Sequence, residues 1–542
     1  MKKQEEDMKK RFKNYFINLL MPSFVFGSIT GVFTAVVICL YKLCAGYIID
    51  LSKQGYQILR GAPLWILALI PVLAAAAWIF GKIYHNHPNL RGGGIPTTVG
   101  VLRGILPISS WGNLFGVFAM SLGTFLIGVP LGNEGPSVQM GTTVGKGCVR
   151  LFAKKNWAWE RYSMTGGACA GFSVATGAPI SGILFSVEEA HQRVSPMLLT
   201  VSATSVMFAE FTTELLSLFL PIHTTLFPKL SLVKLGLRDV WLPLVIGIAV
   251  GLFAVLFLKY YREISRLNKR LKGKISNTCF IFLVFVVTVF LGMLSNAFIS
   301  TGHDLILSLF EGSKAIWILV VILLVRATVT LFANTSNITG GLFVPILALG
   351  AIFSSVIGES LILLGLDESY GVIILVLGIT ACVSSMMKMP LTAIVFAVEA
   401  LSCYDNILYV IVVAAVSYVI TEFFGVKSIN DKVIEHREEM IHRGKEAKVS
   451  EAFVKVKQGS FAEGKQTRDI LWPNNLFVLS VKFSSNAHVE VDEHGGKEIR
   501  AGDVLHVRYL TYDPEKTLEE LYAIVGEQSS DGVKIINHKI VN

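Results

Sequence analysis

Long apolar runs separated by short polar breaks fill the first 426 residues. Many have the length that crosses a bilayer, about 17–25 residues. Candidate spans lie near 15–47, 64–82, 195–220, 240–258, 277–298, 315–333, 370–384 and 405–425. Three further stretches, 92–150, 164–190 and 340–400, are apolar yet dense in Gly, Pro, Ser and Thr. These predict helices that stop inside the membrane, where irregular backbone survives only if it faces protein or a cavity. After Asn430 the periodicity changes. Residues 431–447 read as a charged helical connector, followed by strand-like runs at Phe453–Val456, Phe477–Phe483, His488–Val491 and Val504–Leu510 with turn signals between them. Asp513 and Pro514 mark the start of a last helix, 514–525, which Gly526 ends.

The apolar body repeats itself. Pro179–Glu188 (PISGILFSVE) matches Pro390–Glu399 (PLTAIVFAVE) at an offset of 211, and Pro136–Gly141 matches Pro345–Gly350 at an offset of 209. Two matches in one order at nearly one offset predict two related halves, roughly 15–215 and 225–430. Interrupted segments at corresponding places in two halves point to a transport site. The predicted fold is therefore an α-helical polytopic membrane protein of two inverted-topology repeats with broken helices (1–430), then the connector (431–447), a small α+β C-terminal domain (448–530) and a tail (531–542).

Composition agrees with that division. Of 542 residues 53% are hydrophobic and 16% charged, against about 25% charged in soluble proteins. From Lys427 to Asn542 lie 17 Lys/Arg and 19 Asp/Glu, leaving 51 charged side chains for the rest of the chain. Of the net charge of +9 the body contributes +11 and the C-terminal segment −2. Its basic residues cluster at the ends of apolar segments (Lys2, Lys3, Lys9, Lys10, Arg11 and Lys13; Arg262, Arg266, Lys269, Arg270, Lys272 and Lys274). That distribution fits the positive-inside rule, sets nucleic acid aside as a partner and predicts cytoplasmic termini. The first apolar run is too long, and lacks the small-residue ending, for a cleavable signal peptide. Seven cysteines form no CxxC and eleven histidines no HExxH, so no metal site is expected and the cysteines read as buried apolar fillers.

Glu134 is the side chain with the sharpest chemistry. It sits in Gly132-Asn133-Glu134-Gly135-Pro136, at the end of a charge-free stretch from Gly104. A carboxylate at membrane depth costs at least about 2.5 kcal/mol and marks a substrate or proton path. The glycines free the backbone N–H groups, and Pro136 can open a helix. A buried helix N-terminus attracts anions through those N–H groups and the helix dipole. Gly92-Gly93-Gly94-Ile95-Pro96 and Gly340-Gly341-Leu342-Phe343-Val344-Pro345 have the same build. Together they predict three helix starts converging on one dehydrated anion.

At these residues the chain resembles the CLC family of chloride channels and chloride/proton antiporters, over about 15–430. The three family signatures occur in order as Gly92–Pro96, Gly132–Pro136 and Gly341–Pro345, with Ala178–Glu189 matching as well. The resemblance implies a multi-pass homodimer in a bacterial plasma membrane, with one pore per subunit. It assigns Glu134 as a gating glutamate that couples anion movement to protons, and Glu189 as the inner proton-transfer glutamate. Gly93, Asn133, Gly135, Asn430 and the N–H groups of Leu342 and Phe343 fall at its anion-binding positions. Glu188 and Glu399 are expected to form structural hydrogen bonds at helix ends.

Three positions depart from the family pattern. Gly93 stands where a serine is usual, Asn133 replaces a cation, and Asn430 takes the place of a tyrosine whose hydroxyl closes the inner side of the site. Chloride/proton antiport is the first expectation, with small anions and protons as partners. The alternatives are a passive voltage- or ligand-gated chloride channel and a fluoride/proton antiporter. A cation transporter component is more distant. Thr97–Gly100 and Thr142–Gly145 resemble the start of a potassium filter, but Val101 and Lys146 follow instead of Tyr-Gly.

The C-terminal segment, about 448–530, resembles the RCK_C (TrkA-C) ligand-binding domain of many bacterial transporters. Asp469–Pro473, strand Phe477–Phe483 and Ile499–Leu505 carry the likeness. It implies a dimerising regulatory module, with cyclic di-AMP as a possible nucleotide ligand and no other cofactor. The apolar body holds no Walker motif and no Ser/His/Asp constellation, so an enzyme is not expected.

Overall fold

The computed structural model describes residues 16, 20–108, 111–152, 157–272, 275–312, 314–442, 445–483, 489–491, 495–496 and 498–526. The basic N-terminal cluster, His488, Lys274 and the tail 531–542 lie outside the described residues. Among the described residues, seven helices are long and apolar enough to cross a membrane. Their outward faces carry large apolar side chains such as Phe33, Trp78, Leu256, Phe290 and Trp317. Water would penalise such a surface, whereas lipid accepts it.

Two halves share one order of elements. Helices Glu134–Phe152, Trp157–Thr176, Pro179–Phe185 and Pro196–Ser217 recur as Phe343–Leu363, Gly371–Met386, Pro390–Ala400 and Ile407–Phe423. Pro179–Phe185 and Pro390–Ala400 are 7 and 11 residues long, about 11 and 17 Å at 1.5 Å per residue. Neither crosses a bilayer alone, which gives the broken helices their physical meaning. Proline sets their starts, because its ring cannot follow a helical residue but suits the first turn.

Bare backbone lets the helices around the site approach closely. A Cβ on Gly141 would lie 2.0 Å from the Gly167 carbonyl oxygen, and one on Gly171 would lie 2.4 Å from that of Ser137. Helices Glu134–Phe152 and Trp157–Thr176 thus pack backbone to backbone, the small-residue contact that replaces hydrophobic driving force in lipid. Thr142–Gly145 belongs to the first of these helices and Thr97–Gly100 to helix Ile95–Leu102. The Val99 and Gly100 carbonyls accept the N–H groups of Arg103, Ile105 and Leu106 in the turn that follows, and a helix lines no pore with its carbonyls, so neither segment is a carbonyl-lined filter. Five cysteines are buried, but Cys44 is partly exposed and Cys279 exposed. The filler reading is corrected for these two, which lie on outward helix faces.

Past helix Ile407–Phe423 the connector helix Ile429–Ile441 leads into a four-stranded antiparallel sheet. Its strands are β1 (Lys448–Lys455), β2 (Leu476–Lys482), β3 (Val489–Val491) and β4 (Val504–Thr511), in the order β1-β4-β2-β3. Strand β1 begins five residues before its sequence prediction because Lys448–Ala452 pair with Val507–Thr511. Helix Pro514–Val525 has the expected ends: Asp513 accepts the Lys516 N–H, and Gly526 is left-handed at φ 83°.

This domain is seated on the membrane helices. The hydroxyl of Tyr162 donates to the Asp469 carbonyl and accepts the Leu471 N–H. Arg161 donates to the carbonyls of Leu471 and Trp472 at 3.1 and 2.7 Å, and Arg193 to that of Ile470 at 2.8 Å. Trp159 and Tyr162 pack on Phe461.

Candidate functional site

The three glycine breaks meet. Gly132 and Gly341 exchange both backbone hydrogen bonds at 2.7 Å, and the Gly340 N–H donates to the Gly92 carbonyl at 3.3 Å. Gly94 leaves the extended and helical regions at φ 74°. A Cβ there would lie 2.1 Å from the Gly135 carbonyl oxygen, and one on Gly135 would lie 2.0 Å from that of Gly93. Only glycine fits at these crossings, so the loops form one knot at the heads of helices Ile95–Leu102, Glu134–Phe152 and Phe343–Leu363.

Helix geometry leaves the first N–H groups without intrahelical acceptors. Among the described residues, the main-chain N–H groups of Gly93, Gly94, Asn133, Gly135, Leu342 and Phe343 have no acceptor. Phe343 is held by edge contacts with Phe172 and Phe396, at centroid distances of 5.1 and 5.3 Å. Such a cluster of oriented donors in a low-dielectric setting is a cradle whose electrostatics favour negative charge.

Glu134 lies over this cradle. It is fully buried, and neither carboxylate oxygen has a hydrogen-bond partner. Its closest donors are the N–H groups of Glu134 itself and Val344. A Cβ on Gly132 would meet Oε2 at 2.4 Å, so the side chain folds back across its own loop. An acid without partners at helix starts occupies the ground that an anion would favour.

Glu189, 3% exposed, lies at the other end of helix Ile95–Leu102. Asn430 Nδ2 donates to its Oε1 at 3.0 Å. Arg103, next after that helix, donates to the Glu189 carbonyl at 2.8 Å and pairs with Asp431 at 3.3 Å. Asn430 is thus brought to Glu189, while Gly93, Asn133, Gly135, Leu342 and Phe343 gather with Glu134 at the knot.

Between the knot and the connector helix opens a cavity of about 1430 Å³ whose lining includes Gly92, Gly93, Arg91, Asn334, Lys432 and Arg437. The sequence marks Arg437 only as part of the charged helical connector 431–447. Yet Arg437 follows Asn430 by seven residues, two turns, so one face of helix Ile429–Ile441 presents both to the membrane body. Arg437 donates to Thr97 Oγ1 at 2.5 Å and to the Arg91 carbonyl. The helical periodicity could have located it.

A fold of broken, inverted repeats around buried helix starts defines a multi-pass membrane transport protein. The sequence profile described as Voltage gated chloride channel matches residues 72–422, and the chain belongs to this family, the CLC proteins. It is 26% identical over 428 residues to the H(+)/Cl(-) exchange transporter ClcA of Vibrio parahaemolyticus, covering 76% of this chain and 89% of that one. To ClcA of Klebsiella pneumoniae it is 27% identical over 384 residues, 68% and 79% of the two chains. Its fold matches a slow cyanobacterial Cl-/H+ antiporter with a TM-score of 0.69 at 24% identity, over 78% of this chain and 99% of that one. A CLC-type fluoride/proton antiporter matches at 0.63 and 19%, over 75% and 96%.

Proposed function

We propose that the protein is an anion/proton antiporter, with chloride its first substrate. The observation that carries this reading is Glu134: a buried carboxylate with both oxygens unpaired, beside free N–H groups at the head of helix Phe343–Leu363. In the proposed cycle a proton neutralises Glu134, the side chain leaves the cradle, and an anion takes its position on the N–H groups of Leu342 and Phe343. Return of the ionised carboxylate expels the anion. Glu189, oriented by Asn430, hands protons to and from the opposite face. The resemblance to ClcA exchangers supports the coupling, as does the presence of both glutamates.

The termini, the large cavity and the C-terminal domain are assigned to the cytoplasmic side, with the body in a bacterial plasma membrane. The subunits are proposed to pair as homodimers through helices that include Pro179–Phe185 and Pro390–Ala400, whose Ile180 and Leu391 face outward. The C-terminal domain is proposed as an RCK_C-like regulatory module. Its seating on Arg161 and Tyr162 supports a mechanical route to the pore, because Arg161 also donates to the Leu102 carbonyl at 2.6 Å. A nucleotide such as cyclic di-AMP is the proposed class of ligand.

Fluoride is kept as a second substrate reading because Gly93, Asn133 and Asn430 all depart from the chloride pattern. The deciding experiment uses purified full-length protein in liposomes, with an anion electrode and a pH electrode recording together. Stoichiometric proton movement with chloride or fluoride supports the proposal and names the anion. Anion flux without protons converts the reading to a passive channel, and potassium flux alone overturns it.

A further inference from the structure

Gly93 has no side chain to offer an ion, yet the space beside it is not empty of donors. A Cβ built there would meet Asn334 Nδ2 at 3.6 Å, Pro96 Cδ at 3.4 Å and the Gly340 carbonyl oxygen at 3.7 Å. Asn334 belongs to the last turn of helix Ile316–Thr335, in the other half of the molecule. Its amide therefore reaches across the repeat boundary to the place a residue-93 side chain would fill. Gly93 and Asn334 also border the same cavity.

Asn334 as a whole is 5% exposed, and its main-chain carbonyl accepts the Asn337 N–H at 3.0 Å. Among the described residues the side chain itself makes no hydrogen bond. An amide carries two donors and an acceptor, and at the cavity wall these are open to a guest. The surrounding charge determines the sign of that guest. Arg437, on the connector helix, packs against the Gly92 loop: its Nη2 lies 2.5 Å from the place of a Gly92 Cβ. Among the described residues neither Arg437 nor Arg91 forms an ion pair. Glu435 and Glu439 are the acids in the cavity lining, against Arg91, Lys432 and Arg437 among its cations. A guanidinium beside the positive end of helix Ile95–Leu102 is electrostatically adverse, and an anion between the two relieves that repulsion.

We propose that Asn334 is a selectivity-determining donor that binds the transported anion from the cavity side, in the place of the side chain that Gly93 lacks. The guest is a small monovalent anion, a halide or nitrate. Arg437 is the accompanying positioning residue, fixing the loop and its charge. This rests on the anion-transport reading above and adds the residue that discriminates between anions.

The test compares full-length wild type, Asn334→Leu, Asn334→Gln and Gly93→Ala in liposomes. Chloride, fluoride, bromide and nitrate fluxes are measured, together with chloride binding by calorimetry. Loss of one hydrogen bond to a charged guest predicts about tenfold weaker chloride binding for Asn334→Leu, with an altered order of anions. Asn334→Gln retains an amide and falls between. Gly93→Ala places a methyl in van der Waals contact with Nδ2, on the ground the guest would occupy, and shifts affinity in the direction of Asn334→Leu; it decides the matter where the Leu variant does not fold. Wild-type affinity and anion order in Asn334→Leu, or in Gly93→Ala when only that folds, overturn the proposal while leaving anion transport standing. Wild-type protein that moves no anion removes both readings together.

Discussion

Glu188 and Glu399 cap each other's helices. Glu188 accepts the N–H groups of Leu391 and Thr392 at 2.8 and 2.7 Å and the Thr392 hydroxyl at 2.7 Å. Glu399 accepts those of Ile180 and Ser181 at 2.8 and 3.0 Å and the Ser181 hydroxyl at 2.8 Å. Each acid ends the helical segment whose start the other caps. The internal repeat is thereby turned into a lock between the halves, with carboxylates at the positive ends of two helix dipoles.

Removing one member exposes three donors in a membrane setting. Hydrogen bonds to a charged acceptor contribute roughly 1.5–3 kcal/mol, so Glu399→Ala is expected to lower the thermal unfolding midpoint of the detergent-solubilised protein by several degrees. Glu399→Gln, which keeps one acceptor oxygen, is expected to lose less. Glu188→Ala makes a similar loss by the same geometry. An Ala variant melting with the wild type would show that the lock contributes nothing to stability.

Glu134→Gln tests the coupling. The amide is nearly the same size but cannot ionise, so it cannot compete with an anion or release a proton. Proton movement in the two-electrode liposome assay is expected to fall to that of empty liposomes while anion flux continues. Coupling that survives at the wild-type ratio would remove Glu134 from the proton path.

The breaks were legible because Gly and Pro clusters interrupt runs that otherwise satisfy a bilayer. Gly92–Pro96, Gly132–Pro136 and Gly340–Pro345 carry in their composition the reason no helix passes through them. The end of helix Pro514–Val525 was equally local, written in Asp513 and Gly526. What the sequence concealed depends on partners hundreds of positions away. Helical periodicity puts Arg437 on the face that Asn430 shares, but not its partner Thr97, and no local pattern encodes the contact of Arg161 with Trp472. Helix Glu134–Phe152 likewise starts two residues before Pro136, because the loop knot holds Glu134 in helical geometry.

Seating of the C-terminal domain converges on Tyr162, whose hydroxyl bridges the Asp469 carbonyl and the Leu471 N–H. Tyr162→Phe deletes both bonds and leaves the ring contact with Phe461. The expected outcome is faster protease cleavage of the segment between the connector helix and β1, at unchanged oligomeric state. If seating transmits to the pore through Arg161, anion turnover changes as well. Cleavage at the wild-type rate would mean that Arg161 and Arg193 hold the domain without the hydroxyl.

Lys465 gives the C-terminal domain a pH dependence with a definite sign. Its ammonium is 5% exposed, over the Phe461 ring at 4.2 Å, and donates to the Phe461 carbonyl at 2.5 Å. Burial pushes its pKa down to about 8 from an ordinary 10.5, against the weaker pull of Asp469 and Glu463. Between those two values the unfolded chain holds a proton that the folded domain has released, so folding becomes more favourable as pH rises. Below about pH 8 both states are protonated and the desolvation cost is carried in full. Thermal unfolding followed through Trp472, in protein whose other tryptophans are replaced by Phe, is expected to show a midpoint that climbs from pH 8 toward 10. Lys465→Met is expected to raise the midpoint at pH 7 and to remove that climb. An unaltered slope in the Met variant would assign the pH dependence to another group.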